Sequence, residues 1–105
     1  MRLTTAERTA IAQAARETLP PGAKVSLFGS RVDDNRRGGD IDLLIETNMA
    51  LPPVEQVALR TRLAARLYRT MGERRIDIVL AALGMADERL IVSEARRQAV
   101  EVVRT

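Results

Sequence analysis

Apolar positions along the chain change period several times, and prolines and glycines mark the changes. Ile11, Ala14, Ala15 and Leu19 recur at helical spacing. Thr4 followed by Glu7 has the form of a capping box, and Pro20-Pro21-Gly22 stops the run, so a first helix is expected at about residues 5–19. Val25, Leu27 and Phe28, between that turn and Gly29, read as a short buried strand within Lys24–Ser30. Residues 31–39 are polar and end in two glycines, which predicts a loop or a single helical turn. Asp40-Ile41-Asp42-Leu43-Leu44-Ile45-Glu46 follows as a second strand, and Thr47 to Pro53 as a connection. Val54, Val57, Ala58, Ala64, Ala65, Leu67, Tyr68 and Met71 then give a helix over 53–71, closed by Gly72. Arg75-Ile76-Asp77-Ile78-Val79-Leu80 is a third strand. Asp87 stands where it can cap a last helix of roughly 88–98, and Val100-Glu101-Val102-Val103 reads as a short terminal strand.

The order α-β-loop-β-α-β-α-β predicts an α+β fold, a small mixed sheet of three or four strands flanked by helices. At 105 residues it forms a single domain, 1–105. Hydrophobic residues at 46% and charged residues at 30% are a globular mixture, so a folded chain is expected. The absence of cysteine excludes disulfides and thiolate chemistry, and the absence of histidine removes the usual general base and most zinc sites. Any catalysis must therefore run on carboxylates, hydroxyls, arginines, Lys24 or a bound hard cation. The net charge of +3 and pI of about 10.5 suit anionic partners, although on charge alone an arginine-rich solvated surface is the better account. Phe28 and Tyr68 are the only aromatics, too few stacking platforms for a single-strand binder, so nucleic acid is not the expected partner. No apolar run reaches the ~20 residues of a membrane span, and the N-terminus lacks the apolar core of a signal peptide, so a cytoplasmic protein is expected.

Three features bear on chemistry. Gly29-Ser30 closes a strand, where a glycine permits close approach of a ligand and a serine hydroxyl can donate to phosphate oxygens; taken alone it is a turn. Asp40 and Asp42 are two apart in a strand and so share one face, while Ile41, Leu43 and Ile45 point to the other. Paired carboxylates repel unless a hard divalent cation lies between them or their face is solvated, and spacing alone leaves both readings open. Asp77 is a lone acid among β-branched residues. It marks either a solvent-facing position on an edge strand or, if its strand neighbours that of Asp40 and Asp42, a third carboxylate at the same place.

Together, Leu27-Phe28-Gly29-Ser30-Arg31, Gly38-Gly39-Asp40-Ile41-Asp42-Leu43-Leu44-Ile45 and Arg75-Ile76-Asp77-Ile78-Val79 resemble the signature of the polymerase-β-type nucleotidyltransferase superfamily. The resemblance is closest to the minimal nucleotidyltransferases, small prokaryotic proteins often encoded beside a helical HEPN partner, and it runs across nearly the whole chain. It implies that Gly29 and Ser30 bind a nucleoside triphosphate, with Arg31 in reach of a phosphate unless it pairs with Asp33 or Asp34. It further implies that Asp40, Asp42 and Asp77 ligate one or two Mg²⁺ ions, and that Asp77 helps to deprotonate the attacking hydroxyl. Two departures stand out. Nine residues separate Ser30 from Asp40 where many members have ten, and Ala99 occupies a position where glycine is common.

The implied reaction is transfer of AMP from ATP to an acceptor hydroxyl. In the family the acceptor is a tyrosine of the HEPN toxin, and the enzyme is the antitoxin of the pair. A chain this short carries no acceptor-binding domain of its own, so a protein partner is expected; a homodimer is also compatible with the sequence. The alternative is a binding module that neutralises its partner by contact, for which the helix at 53–71 offers a surface. Transfer to a nucleic acid or to a small molecule such as an aminoglycoside is disfavoured by the missing aromatics and the missing second domain.

Overall fold

The computed structural model describes residues 3–29, 40–72 and 74–105. Its elements are α1 (Thr5–Thr18), β1 (Lys24–Phe28), β2 (Ile41–Thr47), α2 (Pro53–Met71), β3 (Ile76–Ala82), α3 (Leu90–Gln98) and β4 (Val100–Arg104). The strands form one mixed sheet in the order β3-β2-β1-β4. β1 runs antiparallel to both β2 and β4, and β2 runs parallel to β3. A parallel pair needs a long crossover, and α2 supplies it.

Local chemistry accounts for the element ends. Thr4 Oγ1 accepts from the Glu7 amide at 3.0 Å and Glu7 Oε1 accepts from the Thr4 amide at 2.9 Å, the capping box that starts α1. Pro53 opens α2, where its missing N–H costs nothing, and Gly72 closes that helix at φ +80. The last helix begins at Leu90 rather than near 88, and Asp87 is not its cap. Instead the Asp87 carboxylate accepts from the backbone amide and the guanidinium of Arg89 at 2.9–3.0 Å, holding the turn before the helix. The terminal strand forms with Ala99 in extended backbone, a conformation that does not call for glycine.

Period two divides the sheet between two apolar clusters. Val25, Leu27, Ile41, Leu43, Ile45, Ile76 and Leu80 face α1 and α2, where Ile11, Ala14, Ala15, Leu59, Leu63 and Leu67 complete the larger core. Phe28 and Leu44, with Val79 and Ala81 beside them, face Ala95 of α3. The face carrying Asp42 is therefore not a solvated one along its length: Leu44 is fully buried and Glu46 only 5% exposed. Glu46 is paired with Arg96 of α3 at 3.1 Å, and the same guanidinium donates to the carbonyls of Met85 and Ala82. A buried carboxylate requires such partners, and this one fixes α3 to the sheet. At the other edge, Thr105 exchanges backbone hydrogen bonds with Gly22 and Ala23. Among the described residues, no helix is long and apolar enough to cross a membrane.

Leu63 is the central residue of the buried stripe of α2, whereas Val54 at the start of that helix is 80% exposed. Leu63→Ala should lower unfolding free energy by about 2–5 kcal/mol, and Val54→Ala should leave it within about 0.5 kcal/mol. Urea denaturation of the two variants measures both values.

Candidate functional site

The site is assembled by strand register. β2 and β3 pair in parallel with Asp42 directly opposite Asp77, and β1 pairs antiparallel with Phe28 opposite Asp42. Adjacent strands stand about 4.8 Å apart, so the two carboxylates become neighbours on the face that carries α3. Asp40 lies one residue before β2, and Gly29 one residue after β1, at the same end of the sheet. Both sequence readings of Asp77 hold at once: β3 is an edge strand, and it neighbours the strand of Asp42.

Gly29 is fixed by two constraints. Its φ of +81 lies in the left-handed region, and a Cβ built on it would overlap the Asp42 carboxylate. The glycine backbone thus lies directly against one acid of the pair. Its amide donates to Gln98 Oε1 at 3.0 Å, which ties the end of β1 to the last residue of α3. Ser30 and Arg31, which the family resemblance implies bind nucleotide, lie outside the described residues, as does the whole 31–39 loop with Asp33 and Asp34.

The electrostatics follow from this crowding. The Asp42 carboxyl is pushed up to about 6, first by burial, then by the charge of Asp77, a hydrogen bond shared with it, and the charge of Asp40. Arg75 opposes that rise. Its Nε lies 3.8 Å from Asp40 Oδ2 and 3.7 Å from Asp77 Oδ2, between two acids that are each about half exposed. The mouth of the site is therefore open, and the partly buried Asp42 is the acid whose ionisation is suppressed.

Among the described residues, no three acidic side chains stand ready-arranged as a metal cage. Asp40 and Asp77 engage Arg75, while Asp42 and Asp77 share a hydrogen bond. The donor chemistry nevertheless suits a hard divalent cation. Two carboxylates close enough to share a proton, with a third beside them, are oxygen donors whose mutual repulsion such an ion relieves.

Two residues of the site were not singled out from the sequence. Arg75 had a signal there, since it stands two before Asp77 in an extended run and so shares its face. Gln98 had none, because its contact with Gly29 spans 69 positions.

No protein-family model matches the chain, and no curated protein matches it at a significant level. Solved structures do. The toxin–antitoxin complex MntA-HepT contains a chain that superposes with TM-score 0.62 at 20% identity, over 97% of this chain and 74% of that one. A structure of the toxin-antitoxin with AMP-PNP gives TM-score 0.63 at 21% identity, over 93% of this chain and 73% of that one. A mutant of the complex in which two aspartates, two positions apart, are replaced by glutamate gives TM-score 0.65 at 20% identity, over 93% and 73%. The chain shares the fold of these toxin–antitoxin structures. It is a small α+β fold with a four-stranded mixed sheet and three helices.

Two outcomes follow from the geometry. Gly29→Ala combines a strained φ with an overlap on Asp42, and should cost about 1–3 kcal/mol of stability in urea denaturation. The second concerns pH. The folded chain keeps the Asp42 proton up to about 6 and an unfolded aspartate releases it near 3.8, so the folded state binds the proton more tightly. Its contribution to stability is complete below 3.8 and is lost as pH rises toward 6. Asp42→Asn removes that loss, so melting temperatures taken from about pH 4 to about pH 6.5 should move in the variant's favour as pH increases. A difference that stays constant across the range would contradict the assignment.

Proposed function

We propose that this chain is a minimal nucleotidyltransferase that transfers AMP from ATP, with Mg²⁺, to a hydroxyl of a HEPN-type protein partner and thereby acts as the antitoxin of a pair. The observation that carries the reading is the in-register pairing of Asp42 with Asp77, with Gly29 packed on Asp42. A phosphate-binding turn and the acids that manage phosphate charge must meet at one spot for such a transfer, and here the turn's root and the acids do. The neighbours support the same reading: they are toxin–antitoxin complexes, one with AMP-PNP and one with paired aspartates altered.

In this reading Asp40, Asp42 and Asp77 hold one or two Mg²⁺ ions, which neutralise charge on the triphosphate. Gly29 lets the backbone approach the phosphates, and Ser30 and Arg31 donate to their oxygens. Asp77, on the open side of the site, takes the proton from the acceptor hydroxyl. The hydroxyl oxygen bonds to the α-phosphorus, the bond to the bridging oxygen breaks, and pyrophosphate leaves with that electron pair. The protein's task is orientation and charge stabilisation, so a chain without histidine is equipped for it.

The test incubates the protein with labelled ATP, Mg²⁺ and the product of the adjacent reading frame, beside the Asp40→Asn/Asp42→Asn double variant. Label should appear on the partner with the natural sequence and fall by about 10²-fold or more with the variant. Neutralisation of the partner that survives the double substitution, without label, would show a contact antitoxin instead.

A further inference from the structure

α2 is apolar on two sides. Leu59, Leu63 and Leu67 form the buried stripe. At about 100° per residue, Val54, Val57, Thr61, Ala65 and Tyr68 fall on the opposite side of the helix. All five are exposed, Val54 at 80%, Val57 at 53% and Tyr68 at 41%. An outward face of this kind is ordinarily charged. Beside the stripe, an open groove of about 430 Å³ runs between α2 and the outer strand β3, floored by Ile76 and Ile78 and walled by Thr61, Ala64 and Tyr68.

The charges around the stripe point to its occupant. α2 carries Arg60, Arg62, Arg66 and Arg69 against a single acid, Glu55. Arg66 is paired with Glu17 of α1 at 2.8 Å. Arg60 borders the groove, and Arg62 and Arg69 border the other side of the stripe; among the described residues these three make no ion pair. A second copy docked through this face would set arginines against arginines, a like-charge juxtaposition that disfavours the pairing. An acidic partner would meet both the apolar seam and its cationic borders. The small residues at the centre, Thr61, Ala64 and Ala65, let a second helix approach closely, and the stripe is about 21 Å long, four turns of helix.

We propose that this face of α2, with its groove against β3, docks an acidic amphipathic helix of a partner protein. Ile76 and Ile78 flank Asp77 on the opposite face of the same strand, so the docked helix lies against the strand that carries the open carboxylate. That the docking presents an acceptor hydroxyl rests on the transfer reading above; the docking itself does not.

The experiment uses the intact 105-residue protein and two fluorescein-labelled, stapled helical peptides with the same leucine and alanine seam. One peptide carries glutamates along its flanks and the other lysines. Fluorescence anisotropy at low salt should show saturable binding of the glutamate peptide, about tenfold or more tighter than the lysine peptide. Thr61→Glu/Ala65→Glu, at two exposed positions, should weaken that binding by about tenfold or more, with an unchanged urea midpoint showing an intact fold. Equal binding of the two peptides, no saturable binding, or binding that survives the double substitution overturns the proposal. So does a dimer in sedimentation that the same substitutions dissociate, because the occupant is then a second copy. The thermal shift of the natural protein with ATP and Mg²⁺ reads the nucleotide site separately, so failure of the docking and failure of the transfer reading are told apart.

Discussion

The parallel pairing of β2 with β3 in a single register is the constraint from which the site follows. It sets Asp42 beside Asp77, and a slip by one residue would turn every side chain of one strand to the other face. The register is held by the apolar half of the same strands. Ile41, Leu43 and Ile45 on β2 and Ile76 and Leu80 on β3 are buried against α1 and α2, so the core that stabilises the domain also fixes the acids. Burial first, and the like charges of Asp77 and Asp40 after it, raise the proton affinity of Asp42, so its ionised form opposes folding.

That arrangement explains the unequal surroundings of the three acids. Asp42 is enclosed between the Gly29 backbone and Asp77, whereas Asp40 and Asp77 are half exposed and share the Arg75 guanidinium. Arg75 therefore belongs to the charge balance of the resting site. A guanidinium that is 72% exposed and nearly 4 Å from each carboxylate is weakly held, and can yield to a better cation.

Most of the fold was legible because its signals are local. The capping box at Thr4 and Glu7, the proline that opens α2 and the alternation in β2 each fix an element without reference to anything distant. Asp87 misled for the same reason: an aspartate before a helix reads as a cap, but the neighbouring Arg89 guanidinium competes for its carboxylate. The pairing of Asp42 with Asp77 needed the strand order, which no local pattern encodes: the residues left it as one of two readings of Asp77, and the family resemblance favoured it. The proximity of Gly29 to Asp42 was likewise expected from the resemblance and not from local pattern, since it depends on β1 lying antiparallel to β2 with Phe28 opposite the acid.

α3 is secured to the sheet near one end by Arg96, through Glu46 and two carbonyls, and at its last residue it holds the amide of Gly29 through Gln98. It acts as a splint laid across the sheet, transmitting the position of one strand end to another. A chain cut before Gln98 would retain all three aspartates and the strands that bear them. It would leave the root of the glycine turn untethered and β1 without its outer neighbour, so acidic residues alone would be a poor guide to whether a shortened chain keeps this geometry.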